Sequence, residues 1–188
     1  MSHAEPSDEE LIACFARGEA AAFDILYERY ELRVFRYLLR ILRDRARAED
    51  ALQDVWFVVA RDASRFEPVA RFSAWVFRIA HNRMVDTVRA ARREVSLELV
   101  SAENEVTEPV YPGESEPHAA AVADEELAAL LAALAQLPAD QREAFLLQQE
   151  GDLSVEEIAK VTGCPFETAK SRLRYARERL RELLQGTL

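Results

Sequence analysis

The stretch from Leu153 to Leu183 leaves a chain little freedom: it reads as a helix, a tight turn and a second helix. Ser154 can act as an N-cap, and Glu157 three residues on completes a capping box. Val155, Ile158, Ala159 and Val161 give this first helix an apolar side. Thr162, Gly163 and Cys164 form the turn, where Gly163 can adopt the left-handed conformation. Pro165 then stands where the first position of a new helix should be. In the second helix Phe166, Ala169, Leu173, Ala176, Leu180 and Leu183 recur at spacings of three and four, which predicts one buried stripe. Lys170, Ser171, Arg174, Arg177 and Arg181 fall largely on the opposite side, and residues 166–182 hold six basic residues against three acidic ones. A solvated amphipathic helix would also be polar on one face. The turn, the basic bias and the preceding helix together favour a helix-turn-helix, whose second helix enters the major groove of DNA.

A net charge of −10 over 188 residues argues against a polyanionic ligand until its distribution is followed. Residues 61–93 carry 8 bases and 3 acids, whereas residues 94–126 carry 10 acids and no Lys or Arg. The acidic segment alone equals the whole imbalance, and local patches decide where DNA docks. No strand-like alternation of any length occurs, and apolar spacing of three and four dominates, so the chain is expected to be all-α. No apolar run reaches the roughly 18 residues of a membrane span. The N-terminus lacks a basic-then-apolar signal pattern. His3, His81, His118, Cys14 and Cys164 show neither metal-ligand nor disulfide spacing. A reduced, cytoplasmic protein is the simplest expectation.

Residues 94–122, with Pro109, Pro112, Pro117, Gly113 and many Glu, read as a flexible acidic linker. It divides the chain into two small helical domains, residues 1–93 and 123–188. The first reads as four helices. Ser7 and Glu10 form a capping box for a short one that closes near Gly18. A second spans 19–43, and a third about 46–61, with Leu52, Val55, Trp56 and Val59 inward. The fourth spans about 71–93, after a loop at 62–70. In the second domain Leu127, Leu130, Leu131 and Leu134 define a helix that Pro138 interrupts, another runs over about 139–149, and the helix-turn-helix follows Gly151.

The fourth helix places Arg71, Arg78, Asn82, Asp86, Arg89 and Arg93 on one face and Phe72, Val76, Ile79 and Val88 on another. Arginines beside an Asn suit a phosphate backbone and a base edge. Aromatics lie close by at Phe66, Phe72, Trp75 and Phe77, and stacking beside basic groups holds single-stranded DNA. Phe72 is expected inward; Phe66 and Trp75 are left open between core and DNA contact. The third helix carries Glu49, Asp50, Gln53 and Asp54 on one side, which suits a basic partner helix or, equally, the helix macrodipole alone. No phosphate loop, nucleophile elbow or metal motif appears, so no catalytic role is expected. His81 reads as a surface or groove-facing residue, and Cys14 and Cys164 as small packing residues.

These pieces together resemble an extracytoplasmic-function sigma factor of the sigma-70 family, the small type with regions 2 and 4 only. The segment Ala48-Glu49-Asp50-Ala51-Leu52-Gln53-Asp54-Val55-Trp56 is similar to the family's polymerase-binding motif. Phe72 to Arg89 is similar to its promoter-reading helix, and Leu137-Pro138-Ala139-Asp140-Gln141-Arg142-Glu143-Ala144-Phe145 and Thr168-Ala169-Lys170-Ser171-Arg172-Leu173 to region 4. The resemblance implies that Asp50, Gln53 and Asp54 bind the polymerase β′ subunit. It implies that the 62–70 loop, with Arg65 and Phe66, captures a flipped base of the −10 element. Arg71, Trp75, Arg78, Asn82, Arg83, Asp86 and Arg89 would hold the adjoining DNA. Thr168, Lys170, Ser171, Arg174, Tyr175 and Arg177 would face the −35 element, and the acidic linker would enter the basic channels of the polymerase. The implied partners are core RNA polymerase, through β′ and β, and promoter DNA, with an anti-sigma factor as a further family partner. No cofactor, no membrane insertion and a free monomer are expected. A regulator of the response-regulator type shares a Leu-Ser-x-x-Glu-Ile-Ala start to its helix-turn-helix, but would need a receiver domain, usually α/β. A helical adaptor that binds only protein would have no reason to expose bases on two separate helices.

Overall fold

The computed structural model describes the backbone of residues 5–67, 69–98 and 120–185, and every regular element among them is helical. Residues 99–119, most of the expected linker, lie outside the described residues. The helices are α1 (Asp8–Ala16), α2 (Ala20–Leu42), α3 (Arg45–Asp62), α4 (Phe72–Glu98), α5 (Ala120–Gln136), α6 (Ala139–Gly151), α7 (Val155–Thr162) and α8 (Phe166–Gln185). A 3-10 turn, Ala63–Arg65, lies between α3 and α4. Both α4 and α5 run into the stretch expected as linker: the chain keeps helix-compatible residues through Glu98 and again from Ala120.

Local chemistry sets the boundaries. Ser7 and Ser154 each complete a reciprocal capping box, with Glu10 and Glu157. Asp44 caps α3 by accepting from the Arg47 amide at 3.0 Å. Gly163 ends α7 at φ 66, as the turn requires. Two other left-handed caps are not glycine: Arg43 after α2 at φ 55, and Asp152 after α6 at φ 52. The break before the helix-turn-helix therefore falls on Asp152, not on Gly151, which is still helical. Gly151 is needed for another reason: a Cβ there would stand 2.9 Å from Leu153 Cγ and 3.2 Å from Phe77 Cδ2. Pro165 precedes α8 by one residue, and its carbonyl accepts from the Thr168 and Ala169 amides at 3.0 Å.

α1 to α4 enclose one core, in which Ile12, Leu26, Val34, Leu38, Val55, Val59, Phe72 and Val76 are fully or almost fully buried. Each such side chain contributes about 1.5–3 kcal/mol relative to exposure. Trp56 is buried as expected, edge-on to Phe23 and close to Tyr27. Leu146, Leu147, Ile158, Ala169, Leu173 and Ala176 fill the smaller core of α5 to α8. Phe166 departs from the expected stripe. It is the first residue of α8 and is exposed, with Lys170 Nζ 5.8 Å from its ring, while Ala169 three residues on is buried.

The two helical units are docked on each other: α6 packs on α2 and α4, and α7 packs on α4. Tyr37 and Phe77, ring centroids 5.6 Å apart, are fully buried at this junction. His81 lies there too. It is half-buried with Nδ1 2.6 Å from Glu143 Oε1, and so is not the groove-facing surface residue that its sequence neighbours suggest. Its partner comes from another helix 62 residues away, beyond the reach of any local pattern.

Candidate nucleic-acid and polymerase interfaces

The outer face of α4 is rooted in the core by its inner face. Phe72, Val76, Ile79 and Met84 are buried, while Arg71, Arg78, Asn82, Asp86, Arg89 and Arg93 all stay exposed. The start of α4 is fixed by a cap from another helix, since the Phe72 amide donates to Glu9 Oε1 at 2.9 Å. Arg83, half-buried beside this face, reaches Asp86 at 3.5 Å. Phe66, Phe72 and Trp75 form one aromatic cluster, with Phe66 and Trp75 rings 5.3 Å apart and tilted at 66°. Phe72 is its buried base; Phe66 and Trp75 are only partly covered.

The loop before α4 is braced by charge. Asp62 accepts from Arg61 at 2.7 and 3.1 Å and from Arg65 at 3.4 Å. The Arg61 bonds, joined by the positive charges of Arg61 and Arg65, hold its carboxyl below the usual range despite partial desolvation. Beyond it a cleft of about 370 Å³ opens between this loop and α7. Arg65, Arg71, Trp75 and Arg78 line one wall, and Glu157, Lys160 and Val161 the other. Arg71 donates to the Asp152 carbonyl at 3.0 Å and reaches the Asp152 and Glu157 carboxylates at 3.2 Å each. Burial pulls its guanidinium down, but Glu157 and Asp152 outweigh that and raise it on balance.

On α8, Lys170, Arg174, Tyr175 and Arg177 are exposed, whereas Thr168 and Ser171 are half-buried. The Ser171 hydroxyl donates to the Thr168 carbonyl at 2.9 Å. Arg174 stacks over Tyr175 at 4.4 Å and approaches Glu178 at 3.8 Å, which presents the two side chains as one unit. Arg177 differs: it bonds Gln148 of α6 at 2.6 Å. Arg172 pairs with Asp140 and ties α8 to the start of α6.

On α3, Asp50, Gln53 and Asp54 are all exposed on one side. Phe57, 67 % exposed, continues that side and was not singled out from sequence. Its spacing, seven after Asp50 and three after Asp54, is the signal that marks it. A larger omission is the arginine row of α2, residues 29, 33, 36, 40 and 43, at alternating steps of four and three. Arg29 turns back to Asp8 at 2.6 Å, but Arg33, Arg36 and Arg40 all converge on Glu150, and Arg43 donates to the Ala135 carbonyl at 2.6 Å. Among the described residues no group of His, Cys, Asp and Glu could hold a metal ion, and no helix is long and apolar enough to cross a membrane.

The Sigma-70 region 2 family model matches residues 26–94, and the Sigma-70 region 4 model matches residues 127–180. The RNA polymerase sigma-H factor of Pseudomonas aeruginosa is 30 % identical over 187 residues, covering 98 % of this chain and 97 % of the relative. The extracytoplasmic-function sigma factor SigM of Mycobacterium tuberculosis is 34 % identical over 185 residues, covering 96 % and 86 %. Among solved structures, the sigma factor RpoE of Bartonella quintana, in complex with the anti-sigma factor NepR, is similar at a TM-score of 0.69 and 28 % identity, over 87 % of this chain and 96 % of that one. The chain belongs to the sigma-70 family of RNA polymerase sigma factors, in its extracytoplasmic-function branch. The response-regulator alternative has no support, since the N-terminal half is helical and matches region 2 rather than a receiver.

Proposed function

We propose that this chain directs core RNA polymerase to promoters by holding two DNA elements on α4 and α8, and the polymerase on α3. The observation that carries the reading is a pair of basic outer faces on two helices, each anchored by a buried inner face in its own core. In this reading the exposed acids of α3, Asp50 and Asp54, with Gln53, meet a basic helical surface of the β′ subunit. Arg65 and the half-covered rings of Phe66 and Trp75 receive a base lifted from the −10 element. Unstacking that base costs a few kcal/mol, which stacking and phosphate contacts must return. Arg71, Arg78, Asn82, Arg83 and Arg89 hold the flanking strand, with Asp86 orienting Arg83. On α8, Lys170, Arg174 and Tyr175 face the −35 bases, and Thr168, Ser171 and Arg177 set the helix on the backbone.

The domain division at residues 1–93, 94–122 and 123–188 belongs to the same reading, as does a place of action beside the polymerase in the cytoplasm. The chain contributes binding and melting, with no catalytic step of its own. The Bartonella relative is held by an anti-sigma factor, and a partner of that class is proposed here too. Run-off transcription with purified core polymerase on a promoter library tests the reading. Promoter-specific transcripts that depend on the added chain are expected; their absence overturns it.

A further inference from the structure

The three acids that open α1 have three different partners. Glu10 closes the capping box on the Ser7 amide at 2.8 Å. Asp8 turns to α2, where it accepts from the Tyr30 hydroxyl at 2.5 Å and from Arg29 at 2.6 Å. Glu9 leaves its own helix altogether. It is half-buried, and its Oε1 accepts from the Phe72 amide at 2.9 Å, 63 residues along the chain. Acids in a first turn suit the helix macrodipole without any partner, so nothing in the sequence sets Glu9 apart.

Phe72 opens α4, and its amide is one of the donors that a helix start leaves without an intrahelical partner. Arg71, the residue before it, has no side-chain acceptor to offer. The cap therefore comes from α1. Phe72 is also the base of the aromatic cluster: its ring lies 6.2 Å from Phe66, 5.9 Å from Trp75 and 5.1 Å from Tyr30. Asp8 holds Tyr30 and Glu9 holds Phe72, so one turn of α1 fixes two rings that meet edge to face. α1 also packs against the 3-10 turn that leads into the loop before α4. It does this from ahead of residues 26–94, the stretch that the region 2 model matches.

We propose that Glu9 is a positioning residue for −10 recognition: by capping α4 from α1 it fixes Phe72, and through that ring the half-covered Phe66 and Trp75 that receive the lifted base. The proposal rests on the promoter-binding reading above. In this role Glu9 acts through Phe72 and touches no DNA. Without the cap the first turn of α4 frays, and apparent affinity falls with the fraction of molecules whose rings stand in place.

The test uses the full chain assembled with core polymerase, on a promoter taken from the run-off library and forked within its −10 element. Glu9→Ala removes the acceptor, Glu9→Gln keeps an oxygen at the same reach, and Glu10→Ala weakens α1 without touching α4. Circular dichroism and a denaturant midpoint establish folding. Glu9→Ala should weaken fork binding about tenfold and flatten the preference among forks differing in one −10 base, with core-polymerase affinity and −35 preference unchanged. Glu9→Gln should restore both readouts to within about twofold, and Glu10→Ala should keep the wild-type preference. A merely structural role moves stability but not the preference ratio. Preference that survives Glu9→Ala, that Glu10→Ala loses equally, or that Glu9→Gln does not rescue overturns the proposal. If Glu9→Ala does not fold, Glu9→Asp decides, because it keeps the charge but falls one methylene short of the Phe72 amide; it should lose the preference, and retention overturns the role. Exchange of the Phe72 amide, followed by NMR in the free chain, reads the cap itself: it should be about tenfold faster in Glu9→Ala, and equal rates overturn the cap. With wild-type transcripts present and preference unchanged, only the positioning role falls. With transcripts absent, the promoter reading falls and takes the −10 role with it, while the amide exchange still decides whether Glu9 caps α4.

Discussion

Arg174 shows what a single exposed residue can and cannot reveal. Its stacking on Tyr175 depends on two adjacent residues, so it is open to sequence reading. Arg174→Ala should weaken promoter binding by about 1–3 kcal/mol and relax −35 preference, measured by anisotropy on a set of −35 variants. Unchanged affinity and preference would remove Arg174 from the reading face. Tyr37 is the opposite case. Burial first, then the Glu143 charge and the hydrogen bond to it, push its phenol well above the ordinary value. Burial and the Asp8 hydrogen bond raise Tyr30 in the same direction. Both phenols keep their protons longer folded than unfolded. Their contribution to stability is therefore complete below the ordinary phenol pKa of about 10 and is lost as pH rises above it. Urea melts between about pH 8 and 11 should show an alkaline decline that Tyr30→Phe/Tyr37→Phe flattens. An equally steep decline in the double variant would assign it elsewhere.

At the scale of the element, what was legible was local. Both capping boxes depend on residues three apart, and α1 and α7 begin where those boxes put them. Gly163 likewise takes the left-handed turn. A methyl group there meets nothing within 4 Å, so Gly163→Ala tests backbone conformation alone. It should lower stability by about 1–2 kcal/mol, seen as a shifted denaturant midpoint at constant slope. No shift would show that α7 and α8 are held by their core instead. Misplaced ends have equally local causes. The helix expected over about 139–149 runs on to Gly151, which gives clearance to Phe77, and Asp152 supplies the turn. Phe166 fits the stripe by spacing but opens α8 and stays exposed, and burial of the stripe begins at Ala169.

The whole molecule is where sequence reading ran out. Helical periodicity separates inner from outer faces, so the α4, α8 and α3 surfaces could be located one helix at a time. It carries nothing about which outer face meets another. The arginine row of α2 looks like a solvated face until Glu150, 110 residues from Arg40, is brought against it. The same holds for His81 and Glu143. Long-range pairs follow from how two finished units dock, and each partner alone matches a bland surface pattern. Asp152 shows what that docking asks of the chain. A non-glycine residue in the left-handed region is strained, and here it sets both its carbonyl and its carboxylate on Arg71. Glycine would relax the backbone and remove one carboxylate, leaving Arg71 its bonds to the backbone carbonyl at 152 and to Glu157. Backbone ease and the ion pair thus pull in opposite directions at one position, and a variant gaining the first would surrender the second.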